Sequence, residues 1–215
     1  MANVLIEAFI ASKSSGLLMD LDNTIYPYDP THAAALLACR VKFDELNCHR
    51  EFIAEYENAR HMVHNRLKGQ AAMHSRLLYF QQMFENIYQY TKSDLSLEFE
   101  EIYWGTFLEK MTIDQVAFEL LQFCKKESIP VCIVTDLTTQ IQHRKIVKLN
   151  LQHLINYMVS SEEAGIEKPH AQIFNLAIEK IGIPAQQLLM VGDSIKKDIE
   201  GARAAGINAI HYIAA

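Results

Sequence analysis

The sequence is short of cysteine, of basic charge and of long apolar runs, and each shortage removes a class of function. Its four cysteines, Cys39, Cys48, Cys124 and Cys132, stand at unrelated spacings with no Cys-x-x-Cys pair. Zinc ligand sets and disulfide frameworks are not built that way, so a reducing compartment, the cytoplasm, is the expected location. Lysine and arginine number 20 against 26 aspartates and glutamates, a formal net charge of -6. Nucleic-acid binding needs a basic face and is not expected; a small anion held by a few local cations and amides is still allowed. No apolar run reaches membrane-spanning length, so no membrane partner is expected either. The apolar patch at 4–11 is short, contains Glu7 and lacks a cationic start, which argues against a signal peptide. Internal repeats and low-complexity segments are absent from the sequence.

What is present is a repeating alternation. With 215 residues, half of them hydrophobic, there is room for one large domain or for a core with a smaller companion. Residues 16–19, 129–135, 154–159, 188–191 and 209–213 are short β-type runs, and 138–149, 171–181 and 195–205 read as amphipathic helices. Continuous apolar runs alternating with helices predict a parallel sheet covered on both faces, an α/β fold with a Rossmann-like core.

The runs end alike. The first is followed by Asp20-Leu21-Asp22; the next ends in Thr135-Asp136, the third in Ser160-Ser161 and the fourth in Gly192-Asp193. Ligands of open parallel sheets bind beyond the carboxyl ends of the strands. Parallel neighbours would therefore gather at least three carboxylates and two hydroxyls in one small volume. Asp20 and Asp22, two apart, point to the same side of an extended chain. Clustered carboxylates repel one another and call for a cation, and an all-oxygen set without His or Cys favours Mg²⁺. Any one of these aspartates reads equally well as a turn residue. Four strand ends behaving alike do not.

The same residues resemble the haloacid dehalogenase superfamily. Asp20-Leu-Asp-Asn-Thr24 is similar to its D-x-D-x-T motif, and Thr135-Asp136 to its second motif, an apolar strand ending in Ser or Thr. Gly165-Ile-Glu-Lys168-Pro169 resembles the third, whose lysine faces the phosphate, and Gly192-Asp193-Ser-Ile-Lys-Lys-Asp198 the fourth, G-D-x-x-x-x-D. The resemblance implies that Asp20 attacks phosphorus and forms an aspartyl-phosphate. It implies that Asp22 protonates the leaving oxygen and later activates water, which calls for a raised pKa. Thr135 and the amide of Asp136 would hold the phosphoryl group, and Lys168 would neutralise it together with Asp20. Mg²⁺ would be bound by Asp20, Asp193 and the backbone carbonyl of Asp22, with Thr24 and Asp198 in support. Asp198 also reads as a surface partner of Lys196 or Lys197, both expected to be exposed. Asp136 departs from the family, where Asn is common, and it adds a repelling carboxylate.

Residues 23–129 are far too many for one crossover between the first two strands. Apolar stripes at Leu36, Cys39, Phe43 and Leu46, at Phe52, Tyr56, Ala59 and Val63, at Leu77, Phe80, Phe84 and Ile87, and at Phe99, Tyr103 and Phe107 predict four helices in a small bundle. The expected division is a core of 1–28 and 112–215 around an all-α insertion, 29–111, which resembles the superfamily's first cap type. Thr24-Ile-Tyr-Pro27 is reminiscent of its pyrimidine 5′-nucleotidase-like branch. His61 and His64, three apart, lack an evident third metal ligand. Arg66, Lys68, His74 and Arg76 read either as a solvated turn or as cations that reach an anionic substrate.

The expected activity is Mg²⁺-dependent hydrolysis of a small phosphorylated metabolite, a nucleotide or a sugar phosphate, by a monomer or homodimer. A phosphomutase would share all four motifs. A dehalogenase needs neither Asp22 nor Asp193, and a non-catalytic scaffold needs none of the catalytic set.

Overall fold

Four of the five strands are short, mainly apolar runs that stop at polar residues; the fifth, Asn208–His211, is polar at both ends. The computed structural model describes residues 3–215; Met1 and Ala2, at the head of the 1–28 segment, lie outside it. In chain order, α1 (Val4–Ser12) precedes β1 (Gly16–Met19), and α2 (Tyr28–Asp44), α3 (Phe52–Arg66), α4 (Arg76–Tyr88) and α5 (Ser93–Lys110) follow. Next come α6 (Gln115–Lys126), β2 (Val131–Thr135), α7 (Thr139–Lys148), β3 (Tyr157–Ser160) and α8 (Ser161–Ala164). The chain closes with α9 (Ala171–Ile181), β4 (Leu188–Gly192), α10 (Gly201–Ala204) and β5 (Asn208–His211). These elements form two units: the described residues up to Tyr28 with Thr112–Ala215, and Asp29–Met111.

In the first unit the five strands are all parallel, in the order β3-β2-β1-β4-β5. The three central strands are buried along their whole length. This is the mark of a sheet covered on both faces. Helix α9 lays Ile173, Phe174, Ala177 and Ile181 against Leu18, Val134 and Met190 of the sheet. It stops at Gly182, whose positive φ of 69° forms the left-handed cap. Helix α6 starts at Asp114, whose carboxylate accepts the Ala117 N–H at 2.8 Å.

Besides small shifts, 129–135 to Val131–Thr135 and 209–213 to Asn208–His211, two departures from the sequence expectation have a local cause. The run expected from 154 begins as a strand only at Tyr157, because the Leu154 N–H donates back to the Leu151 carbonyl in a turn. The helix expected over 195–205 is split: Ile195–Glu200 forms a π-helical turn before α10. Its cause is local, since the Ser194 carbonyl accepts from both Asp198 N–H (2.9 Å) and Ile199 N–H (3.2 Å). Such widened turns gather at functional sites.

The second unit is the four-helix α2–α5 stretch with a short 3₁₀ turn at Ala71–His74. Phe52, Tyr56, Ala59 and Val63 of α3 and Phe99, Tyr103 and Phe107 of α5 are buried as expected. On α2 the buried row is Thr31, Ala35, Cys39 and Phe43, a strict four-residue spacing; Leu36 is half-buried and Leu46 lies past the helix end. On α4 Leu77 and Ile87 are likewise only half-buried. Ring contacts carry this core, among them Phe84 and Phe99 edge to face at 5.0 Å. Arg76 is not a solvated cation: it is buried, with its guanidinium 5.2, 5.0 and 5.4 Å from the ring centres of Tyr79, Tyr103 and Trp104. His64 is bonded to the Tyr79 hydroxyl at 2.6 Å, while His61 is exposed. Neither histidine belongs to a metal-ligand cluster among the described residues.

Candidate active site

The central position of β1 decides what can meet. Its neighbours are β2 and β4, so chain segments more than a hundred residues apart end side by side. Asp20 follows β1 directly, and its N–H donates to the Val191 carbonyl of β4 at 2.9 Å. Asp20, Thr135, Lys168 and Asp198 are all buried there, and Asp193 is half-buried.

Lys168 is the hub. Its Nζ donates to Asp20 Oδ1 at 2.6 Å, to Asp198 Oδ1 at 2.6 Å and to the Val134 carbonyl at 2.9 Å. An ammonium has three donors, and all three are engaged. Burial works against the charge on Lys168, but Asp198 and Asp20 outweigh it and raise its pKa well above the ordinary range. Asp20 is pushed well above the usual carboxylate range by burial, with Lys168 pulling it back and the charges of Asp198 and Asp22 adding to the rise. Thr24 donates to Asp20 Oδ2 at 3.3 Å. Asp198 is therefore no surface partner of Lys196 or Lys197. The π-helical turn carries it inward, where its Oδ2 accepts the Ser194 N–H at 2.9 Å. Gly192 makes room for it: a Cβ there would stand 2.5 Å from the Asp198 Cβ and Cγ.

Asp22 departs from expectation. Both of its oxygens are gripped by Lys145 of α7, at 2.7 Å to Oδ1 and 2.9 Å to Oδ2, and Oδ1 also accepts the Tyr26 hydroxyl. Burial alone would raise the Asp22 pKa, but Lys145 reverses the direction and lowers it. The raised value expected of a proton donor is thus not present in this state, and the ionised form is the one stabilised.

Thr135 and Asp136 are held from the same helix and the next loop. Gln142 of α7, wholly buried, donates through Nε2 to Thr135 Oγ1 at 2.6 Å and to the Asp136 carbonyl at 2.7 Å. The carboxylate of Asp136 accepts the Lys168 backbone N–H at 3.0 Å and the ammonium of Lys197 at 2.7 Å. Lys197 is therefore half-buried and paired rather than exposed, and its charge answers the repulsion expected of Asp136. Ser160 and Ser161 do not join the cluster. Ser161 accepts the Leu137 N–H at 2.9 Å and Ser160 bonds Thr139 at 2.6 Å, which fixes the loop where Leu137 holds a strained φ of 93°.

Carboxylate oxygens of Asp20, Asp193 and Asp198 lie within 4.8 Å of one another, the one such group among the described residues. Burial and the neighbouring Asp198 raise the pKa of Asp193. Three crowded carboxylates share a single lysine, so the donor set suits a hard divalent cation such as Mg²⁺. The side chain of Asp22, turned to Lys145, does not belong to that group.

Sequence reasoning passed over Lys145 and Gln142 and read Lys197 as exposed. For the first two the signal was available: they occupy the buried stripe of α7 with Ile141 and Ile146, where apolar residues are the rule. Lys197 depends on the widened turn, which no spacing shows.

Comparison with known proteins agrees with this architecture. A family model described as haloacid dehalogenase-like hydrolase matches residues 15–206. Ribulose-1,5-bisphosphate 5-phosphatase of Halopiger xanaduensis is 34% identical over 202 residues, 93% of this chain and 84% of its own length. Among solved structures, 2-haloacid dehalogenase from Pseudomonas syringae pv. Tomato superposes with a TM-score of 0.75 at 22% identity, over 93% of this chain and 86% of that one. The magnesium-bound HAD-hydrolase YfnB from Bacillus subtilis gives 0.66 at 24% identity, over 92% and 87%. The two structures share the fold, and with the family model and the curated relative on the same span, this chain belongs to the haloacid dehalogenase-like hydrolases.

Proposed function

We propose that this protein is a phosphate-monoester hydrolase in which Asp20 is the covalent nucleophile. The observation that carries the proposal is the Asp20 carboxylate itself: buried at the end of the central strand, fixed by Lys168 at 2.6 Å, with a second carboxylate two residues on. In this role Asp20 attacks phosphorus to give an aspartyl-phosphate, so one hard displacement becomes two easier ones. Lys168 orients Asp20 and offsets the phosphoryl charge. The Thr135 hydroxyl and the Asp136 amide hold phosphoryl oxygens. Asp22 hands a proton to the leaving oxygen in the first step and takes one from water in the second. The Lys145-paired carboxylate is the form needed between the two steps, after the proton has gone to the leaving oxygen; the proton then taken from water returns Asp22 to the acid form that opens the next turnover. Asp20, Asp193 and the backbone carbonyl of Asp22 would hold Mg²⁺, with Asp198 supporting. The ion supplies charge neutralisation for an anionic transition state.

The substrate class is a small sugar phosphate, favoured over a nucleotide by the 34% identity to a sugar-bisphosphate phosphatase along most of both chains. The inserted helices 29–111, between core segments 1–28 and 112–215, are assigned as the family's first type of cap. The test is phosphate release from a panel of sugar phosphates and nucleotides, with Mg²⁺ and with chelator, by wild type and Asp20→Asn. Release that requires both Asp20 and Mg²⁺ is expected, fastest on a sugar phosphate. No release from any ester defeats the proposal, and a sugar phosphate rearranged without free phosphate replaces it with a mutase.

A further inference from the structure

We propose that Lys145 is a positioning residue: from α7 it grips both oxygens of Asp22 and sets that carboxylate for its work on the leaving oxygen. The inference rests on the role given to Asp22 under the proposed function. Three observations lead to it. Lys145 has no solvent exposure at all, although it is a lysine in the last turn of a short helix. Its ammonium lies 2.7 and 2.9 Å from the two oxygens of one carboxylate, across 123 residues of sequence. The third partner is Tyr26, bridged to Asp22 in the backbone, bonded to Oδ1 through its hydroxyl, and with its ring centre 5.7 Å from the ammonium.

A stabilising device is not the best account of this arrangement. Removing the Lys145 ammonium from water costs several kcal/mol, a partly exposed Asp22 offsets that only in part, and a well-packed apolar residue is often as stable or more so. An apolar residue would also complete the buried stripe of Ile141 and Ile146. What the pair does supply is direction. A lone Asp22 side chain turns about two bonds; with Lys145 and Tyr26 in place it is held at both oxygens. Oδ1 carries two of the bonds and Oδ2 one, so the geometry leaves Oδ2 as the oxygen open to the reaction.

A positioning residue for a proton carrier has a signature that a purely structural lysine lacks. Esters with basic leaving groups need the proton; p-nitrophenyl phosphate, whose leaving group is stable as an anion, needs it little. The experiment compares wild type, Lys145→Met, Lys145→Arg, Asp22→Asn and the Lys145→Met/Asp22→Asn double variant on p-nitrophenyl phosphate and on the best alkyl phosphate. Lys145→Met should lower kcat/KM on the alkyl ester, which reports the first step alone, by about 10- to 100-fold, a fraction of the ~100- to 10,000-fold that general acid–base catalysis supplies. On p-nitrophenyl phosphate kcat/KM should fall no more than about threefold, while kcat falls on both esters because the water step is shared, and Lys145→Arg should restore part of each loss. The double variant should be no worse than Asp22→Asn alone, because Lys145 acts through Asp22. Equal losses of kcat/KM on the two esters, or a further loss on the Asp22→Asn background, would overturn the proposal. If Asp22→Asn itself shows no leaving-group bias, the role of Asp22 is wrong and the proposal falls with it. Should Lys145→Met fail to fold, Lys145→Arg must show the same bias in reduced form, and its absence is equally decisive.

Discussion

Gly192→Ala introduces three atoms' worth of trouble with one methyl group. The new Cβ would meet the Asp198 Cβ and Cγ at 2.5 Å and its Oδ2 at 2.6 Å, distances at which something must move. The strand on one side is fully buried and paired, and a Cβ is fixed by its own backbone, so the π-helical turn that carries Asp198 is the part that shifts. Its displacement loosens two charge-assisted bonds, to Lys168 at 2.6 Å and to the Ser194 N–H at 2.9 Å. Overpacking costs about 1–3 kcal/mol and each hydrogen bond to a charged group about 1.5–3 kcal/mol when fully lost. With the bonds partly retained, a total loss of roughly 3–5 kcal/mol is expected, a large share of the ~5–15 kcal/mol that holds a typical domain together. Urea unfolding of wild type, Gly192→Ala, Asp198→Asn and the double variant measures it. In the Asp198→Asn background the charge is already gone, so the glycine substitution should cost only the ~1–3 kcal/mol of overpacking. A Gly192→Ala variant within about 0.5 kcal/mol of wild type, or a cycle that is fully additive, would refute the reasoning.

Two further outcomes are expected. Cys39, Cys124 and Cys132 are buried, and burial pushes each thiol up to about 12, whereas Cys48 is half-exposed. Iodoacetamide near pH 8 should therefore label Cys48 alone in the native protein and all four in urea, read by peptide mass; native labelling of a second cysteine would contradict the packing. Burial, with Arg76 and Arg60 nearby, lowers His32 from 6.5 to about 4, so the folded chain keeps it neutral while the unfolded chain takes up a proton. Its contribution to stability is whole above pH 6.5 and is lost as pH falls from there to about 4. Because the ring keeps some solvent contact, the loss is about 1–2 kcal/mol, and His32→Gln should flatten that part of the stability–pH curve; an unchanged curve would show that His32 is not the group responsible.

The sheet and the four motif positions were legible in the sequence for a simple reason. Buried parallel strands must be largely apolar, so the first polar residue at the end of each run marks its carboxyl end, and Asp20, Thr135 and Asp193 announced themselves. What was hidden depends on distances across the chain. The partner of Asp22 lies 123 residues away on α7, and only the odd presence of a lysine in the stripe of Ile141 and Ile146 hints at it. The inward turn of Asp198 follows from a doubled hydrogen bond at the Ser194 carbonyl, an event of backbone geometry with no compositional trace. In the helical unit, spacing found the stripes of α3 and α5 but misjudged α2, where Thr31 and Ala35 are buried in place of larger apolar residues. Arg76 read as solvated or substrate-facing, not as buried, because its cover of Tyr79, Tyr103 and Trp104 comes from two helices.

The full engagement of Lys168 bears on how a phosphoryl group enters and leaves. With three donors on three acceptors, Lys168 has no spare N–H for a newcomer. On the proposed function, its contact with substrate is an exchange, and the Val134 carbonyl, the one uncharged partner, is the cheapest to release. The gain is then the difference between two hydrogen bonds rather than a whole one, about 1 kcal/mol or less. The displaced partner stays in place and competes for the ammonium again once the phosphate is free. The resting site thus acts as an internal competitor of its own product, which favours turnover over tight holding of inorganic phosphate.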